Sequence, residues 1–195
     1  VSTLPLFPLR TVLFPGGWLR LRIFEPRYLD MVRRCLRGAE PFGVVLIHGG
    51  GETGPIDEVA TIGTSARLVD FGTLPDGLLG LSCRGERRFR LLRRTLQADG
   101  LHIGEVEWLT EPPATPLPAS QQPLAQLLRR ALAAAGNSAQ VPEPRYDEAD
   151  WVSWRIAELL PLDAAMRQAL LQTDAAQERL RRLVPLLAAA GAAAD

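Results

Sequence analysis

Six arginines, Arg84, Arg87, Arg88, Arg90, Arg93 and Arg94, crowd one short stretch of the chain. Phosphate binding needs such a density of cations, so the stretch is a candidate nucleic-acid contact. The competing reading is a solvated strand face, with Glu86, Glu105 and Glu107 as neutralising partners. His48, His102, Cys35 and Cys83 are the other residues able to do chemistry, and none stands at a short ligand spacing from another. A zinc site would need all four to converge, so the expectation is no metal and buried free thiols. Asp147, Glu148 and Asp150 cluster acidity, which suits a helix N-terminus and needs no further role. The run His48–Gly54 (HGGGETG) follows an apolar stretch, but it lacks the Lys-Ser/Thr of a phosphate loop and reads as a surface hairpin. All 22 basic residues are arginine. A chain without lysine has no P-loop lysine, Ser–Lys dyad or Schiff base. No catalytic constellation, cofactor or metal is expected.

The elements that must position these residues begin with Leu4–Phe7, a short strand. Pro5, Pro8 and Pro15 lack an N–H and are expected at strand starts or edges. Gly16-Gly17 supplies a reversal into a strand at Trp18–Phe24, where Leu19, Leu21 and Ile23 alternate with Arg20 and Arg22. A helix over Pro26–Arg37 places Tyr28, Met31, Val32, Cys35 and Leu36 on one apolar face. Phe42–Ile47 reads as a buried strand and Glu58–Phe71 as a single long one. Leu74–Gly77 (LPDG) is a turn, and Leu78–Arg84 returns. Gly85 breaks or bulges that strand before ERRFRLLRR; Asp99-Gly100 turns the chain into Leu101–Leu109. Many short strands with Gly/Pro turns indicate a barrel or a sandwich.

Composition shifts at Pro112–Pro123, a Pro-rich stretch that reads as an extended linker. A helix follows over Leu124–Ala135, stopped by Gly136-Asn137, with a second loop to Pro144. From Asp147 the chain is helical, with Trp151, Trp154, Ile156, Leu159 and Leu160 forming an apolar stripe that Pro161 ends. Asp163 caps a helix over Ala164–Gln172. Thr173 or Asp174 caps the last helix, Ala175–Ala190, where Leu180, Leu183, Val184 and Leu187 are apolar and Pro185 is expected to bend it or to limit its first regular part.

Three segments in order carry a family resemblance: LPLFPLRTVLFPGG at Leu4–Gly17, EVATIGTSARLVDFGTLPDGLLGLSCRGERRFRLL from Glu58, and ELLPLDAAMRQALLQTDAAQERLRRLVPLL from Glu158. The chain resembles the Lon N-terminal, substrate-binding domain. The first segment, continued as IFEPRYLDMV, is similar to small stand-alone bacterial members without ATPase or peptidase domains. The resemblance implies an α+β fold, a PUA-like, mostly antiparallel β-barrel followed by a C-terminal helical bundle. The expected domains are 1–111 for the barrel with one inserted helix, 112–123 for the linker and 124–195 for the helices. It also implies a non-catalytic module that binds unfolded or substrate polypeptide, or a protein partner, and is linked to proteolysis in trans. Phe14, Trp18, Trp151 and Trp154 are candidate partner-binding residues because aromatics anchor interfaces; the alternative is that they pack barrel against bundle. PUA-like barrels in other families bind RNA, which keeps the arginine-rich stretch as the alternative site.

A formal net charge of +0 argues against a dedicated nucleic-acid binder, and 47% apolar residues in 195 suffices for a core. The start shows no basic region followed by an apolar run, and the sequence begins at Val1 rather than Met, so a few residues are expected to be missing or processed. LVPLLAAAGAAA near the end falls short of the about 20 residues of a membrane span. The expected location is the cytoplasm.

Overall fold

β1 (Ser2–Leu9) is longer than the expected strand, with Pro5 and Pro8 inside it. It runs antiparallel to β7 (His102–Trp108) over Ser2–Leu6 and parallel to β3 (Phe42–Gly50) over Leu6–Leu9. Pro5 therefore has a partner only on the β7 side and Pro8 only on the β3 side. A missing N–H is tolerated there because the edge it faces needs no match, which is the placement at edges expected of them. The structure is a computed structural model describing residues 1–38, 40–52, 54–135 and 143–192. The helix stop expected at Gly136-Asn137 lies outside them.

The chain divides into two compact units, Val1–Thr110 and Glu111–Asp195. In the first, β1, β7, β6 (Leu79–Leu96), β5 (Ile62–Thr73) and β3 are joined in sequence, and β1 and β3 pair to close a ring. β4 (Ile56–Val59) pairs the end of β3, and β2 (Trp18–Ile23) pairs β6. All pairings are antiparallel except β1 with β3, so this is a mostly antiparallel barrel. Helix α1 (Pro26–Gly38) lays Tyr28, Met31, Val32 and Cys35 onto the core with Phe7, Leu21, Ile23, Phe42 and Cys83, whereas Leu36, expected on that face, is exposed.

One strand boundary differs from the sequence reading, and one open choice is decided. Ala60 and Thr61 interrupt the stretch expected to be one strand: the Ala60 N–H donates to the Leu46 carbonyl and the Leu91 N–H to the Thr61 carbonyl, making a corner between β4 and β5. Of the break or bulge expected at Gly85, the structure has the bulge. β6 runs through it with a bulge, since Thr64 pairs Arg88 while Ala66 pairs Gly85. Ser65 Oγ, facing the bulge, accepts from the Arg87 N–H and donates to the Arg87 carbonyl, replacing the lost ladder bonds. The turns at Leu74–Gly77 and Asp99-Gly100 are as expected; Gly77 and Gly100 both take φ of +82°.

In the second unit the Pro-rich stretch is not a free extended segment. The Leu117 N–H donates to the Asp147 carbonyl, the Ala149 N–H to the Thr115 carbonyl, and Leu117 is buried. A 3-10 turn at Ala119–Gln121 leads into α2 (Gln122–Ala135), which starts before Pro123, a favourable early helical position. α3 (Ala149–Leu159) is buried on nearly every side, though Leu159 itself is exposed. Asp163 caps α4 (Ala164–Leu171) by accepting from the Met166 N–H at 2.7 Å. α5 (Ala176–Ala192) runs through Pro185 rather than stopping there. Leu180 and Leu183 are fully buried, and Val184, expected beside them, is exposed.

Candidate functional site

Strand order leaves one opening in the first unit. β7 occupies the edge of β6 from Phe89 to Leu96 and reaches β1 only as far as Leu6. β2 takes over the same edge of β6 from Leu79 to Arg84. Beyond β2 the next strand would be Phe7–Leu9 of β1, yet no pairing joins them among the described residues. The seam between these two unmatched edges holds a cavity of about 300 Å3. Phe7, Leu9, Leu19, Leu21, Phe24 and Tyr28 give it apolar walls. That volume lies at the small end of ligand pockets and suits one large side chain rather than a cofactor. Phe24, next to buried Ile23 and breaking the strand's alternation, is 56% exposed at the rim.

Tyr28 stacks on Phe7 with ring centroids 4.0 Å apart, and the Arg27 guanidinium lies 4.8 Å from its ring centroid. Burial pushes its phenol up to about 12, so it stays neutral at any physiological pH. The charged side chains around the seam are mostly engaged. Glu25 pairs with Arg27 at 2.7 Å, Glu52 accepts from the Arg10 N–H at 2.6 Å, and Arg22 pairs with Asp76. The edge of β2 is set by the turn before it: the Gly16 N–H donates to the Gly85 carbonyl and the Gly85 N–H to the Gly17 carbonyl, each at 2.8 Å. This arrangement offers backbone N–H and C=O groups along an open strand, beside an apolar hole, which is what strand addition by an extended peptide needs.

The residues picked from sequence fall elsewhere. Phe14 is fully buried and Trp18 half-buried, at the turn and the start of β2. Trp151 and Trp154 belong to the other unit and are buried in it, Trp151 edge-on to Tyr146 at 5.1 Å and Trp154 under Arg179 at 3.6 Å. Phe14, Trp151 and Trp154 thus present almost no surface to a partner. The arginine-rich stretch is divided by strand geometry. Arg88 points inside and is 0% exposed. Arg84 is half-buried across from Trp18 and Arg67. Arg94 donates to the carbonyls of Ile56 and Asp57 at 2.9 Å. Arg87, Arg90 and Arg93 remain exposed; Arg87 lies over Trp108 at 4.9 Å, Arg90 faces Glu107 across the strands, and Arg93 is 3.9 Å from Glu105.

Among the described residues no three His, Cys, Asp or Glu side chains gather as a metal site. Cys35 and Cys83 are free and buried in one core cluster; burial pushes the Cys83 thiol up to about 12 and raises Cys35 as well. No described helix is long and apolar enough to cross a membrane.

His102, nearly buried on β7, is held down to about 4 by loss of water and by the nearby cations of Arg94 and Arg27. Its folded value lies below the unfolded 6.5, so the unfolded chain binds the extra proton. Stability is therefore expected to fall as pH drops from about 6.5 to 4, by about 1–3 kcal/mol from this ring alone. Denaturant titrations of the wild type and His102→Gln at pH 7 and 4.5 measure it: the variant should lose less on acidification, and equal losses would refute the assignment.

The chain matches the family described as the ATP-dependent protease La (LON) substrate-binding domain over residues 3–189. A crystal structure of a Lon N-terminal domain protein from Xanthomonas campestris is 42% identical, with a TM-score of 0.79 over 95% of this chain and 98% of that one. The N-terminal domain of the Mycobacterium avium complex Lon protease superposes with a TM-score of 0.63 over 95% of this chain and 97% of that one at 18% identity, a likeness of fold alone. The Lon protease of Cytophaga hutchinsonii is 30% identical over 92 residues, 46% of this chain and 11% of that protein. The chain thus spans about a tenth of that relative's length, as it does for the Lon protease of Anaeromyxobacter dehalogenans, at 31% identity over 93 residues. With an α+β fold of a PUA-like barrel followed by helices and a match along almost its whole length, this chain belongs to the Lon substrate-binding domain family.

Proposed function

We propose that this chain is a non-catalytic recognition module that binds unfolded or substrate polypeptide, or an extended segment of a protein partner, at the seam between β2 and β1. The observation that carries the reading is the unpaired edge of β2 beside a 300 Å3 apolar cavity, in a chain of the Lon substrate-binding family. An added strand matches the open backbone groups, and seating one Leu- or Phe-sized side chain contributes about 1.5–3 kcal/mol. The proposal includes a link to ATP-dependent proteolysis carried out by another chain, a cytoplasmic location that suits two free buried thiols, and a division of labour in which residues 1–111 bind while 124–195 form a helical subdomain behind the 112–123 segment.

Parallel anisotropy titrations test it, with a labelled, permanently unfolded polypeptide and a labelled structured RNA, each at low and near-physiological salt. The proposal expects salt-tolerant binding of the polypeptide. Thr11→Trp should weaken that binding about tenfold or more, because exposed Thr11 lines the cavity and an indole there occupies it without entering the core. Steeply salt-dependent binding of RNA alone would move the site to Arg87, Arg90 and Arg93. Absence of polypeptide binding at tens of micromolar would end the proposal, and failure to co-precipitate with an ATPase partner would end its proteolytic part.

A further inference from the structure

The strand that borders the seam presents two faces in alternation. Leu19 and Leu21 line the cavity and pack on the core, while Arg20 between them, also at the cavity's margin, is exposed. Cross-strand pairing places Arg20, Ser82 and Asp70 in one row of the outer face and Arg22, Gly80 and Gly72 in the next. These six line a second, shallower depression of about 470 Å3. Its floor is bare at Gly72, where an added Cβ would meet nothing within 4 Å. At Gly80, directly beside the edge strand, an added Cβ would meet the Leu74 side chain at 2.7 Å.

Its charges are not equivalent. Arg22 is held by Asp76. Asp70 sits two strands from the free edge, and its carboxylate accepts from the Phe71 N–H at 2.9 Å. On the cavity side Glu25 is paired with Arg27, and Glu52 is bonded to the Arg10 N–H. The Arg20 side chain has no hydrogen bond or ion pair among the described residues, and it stands on the edge strand itself. A strand added to β2 would alternate in step with it. The residue opposite Arg20 would face outward with it, and the neighbours on either side would face the cavity.

We propose that the extended segments taken by this edge carry an acidic side chain immediately next to the apolar residue seated in the cavity, and that Arg20 pairs with it. The proposal rests on the seam reading above and names its specificity. A lysine or arginine at that place would meet a like charge; an aspartate or glutamate finds an uncompensated guanidinium at contact distance. The seam therefore selects a two-residue pattern, apolar beside acidic, rather than apolar character alone.

The test uses the full chain and three labelled, unstructured peptides that share a central leucine and differ in having Asp, Asn or Lys on both sides of it. At low salt the Asp peptide should bind about three- to fivefold tighter than the Asn peptide, with the Lys peptide weakest. Raising the salt should shrink the spread. Arg20→Gln should bring the three affinities together, and Arg20→Glu should invert their order. Equal binding of the Asp and Asn peptides by the wild type, or an unchanged order with Arg20→Glu, would overturn the proposal and leave the seam standing. Thr11→Trp should weaken all three alike, because it removes the cavity and not the charge. Peptides that ignore Thr11→Trp, or that fail to bind at any salt, would overturn the seam and the proposal together.

Discussion

Arg179→Met is expected to cost the helical unit about 3–5 kcal/mol, most of what holds a unit of that size together. The guanidinium is 1% exposed and fully engaged. Nε donates to Ser153 Oγ at 3.0 Å, Nη2 to Asp150 Oδ1 at 2.7 Å, and Nη1 to the carbonyls of Thr173 and Asp174 at 2.7 and 2.8 Å. Its flat face lies 3.6 Å from the Trp154 ring centroid. One side chain from α5 thus bonds α3 and the last carbonyls before α5 begins. Through Asp150, whose other oxygen accepts from Thr115, it also reaches the Pro-rich segment. Methionine keeps much of the volume and loses every donor, which leaves two carbonyls and the Asp150 Oδ1 without this partner and the Ser153 hydroxyl with only its bond to the Asp150 carbonyl. Thermal and denaturant unfolding followed by far-ultraviolet circular dichroism measures the loss. Adding Asp150→Asn should recover part of it, because the unpaired charge is then gone. A loss below about 1 kcal/mol for Arg179→Met would show that water replaces the network.

The second large effect is expected at Gly85. A Cβ there would stand 2.3 Å from the Phe14 carbonyl oxygen and 3.0 Å from the Leu13 side chain. The first contact is with backbone, which cannot swing aside as a flexible side chain does. Gly85→Ala should therefore push the Phe14–Gly17 turn off β6 and break the two bonds that tie Gly16 and Gly17 to residue 85. The cost is about 2–4 kcal/mol from overpacking and lost hydrogen bonds. Because that turn launches β2, polypeptide binding should weaken along with stability. Gly72→Ala is the matching control, since its Cβ meets nothing. Similar unfolding midpoints for the two variants would mean that the close approach at Gly85 is not a constraint.

Much of the barrel is written in local signals. The alternation of Leu19, Leu21 and Ile23 with Arg20 and Arg22, the turn glycines Gly77 and Gly100, and the spacing of Tyr28, Met31, Val32 and Cys35 each act over a few residues, and each forms as expected. The misreadings share a cause, which is that the deciding partner is distant in sequence. Ala60 and Thr61 look like mid-strand residues until Leu46 and Leu91 are found bonded to them, and the Pro-rich stretch looks like a free linker until Asp147 is found beside Leu117. Leu36, Leu159 and Val184 fit an apolar stripe but lie past its covered part.

Buried arginines were invisible for a different reason. Charge marks a residue as surface, yet Arg88, Arg155 and Arg179 are each at most 3% exposed. In a chain without lysine, arginine is the only strong cation available for interior networks, and its planar fork satisfies several acceptors at once. The seam itself is almost absent from the sequence. An unpaired edge is a statement about which strand is not beside β2, and no local pattern encodes it. Phe24, apolar and out of step directly after Ile23, is the one trace of it in the sequence.

Amide hydrogen exchange of the protein with and without a bound, permanently unfolded polypeptide tests the central claim most directly. If the polypeptide adds a strand at the seam, amides on the free edge of β2, within residues 19–23, should exchange about tenfold or more slowly when it binds. Binding that leaves β2 unprotected while slowing exchange elsewhere, at Arg87–Arg94 or in the helical unit, would contradict the account.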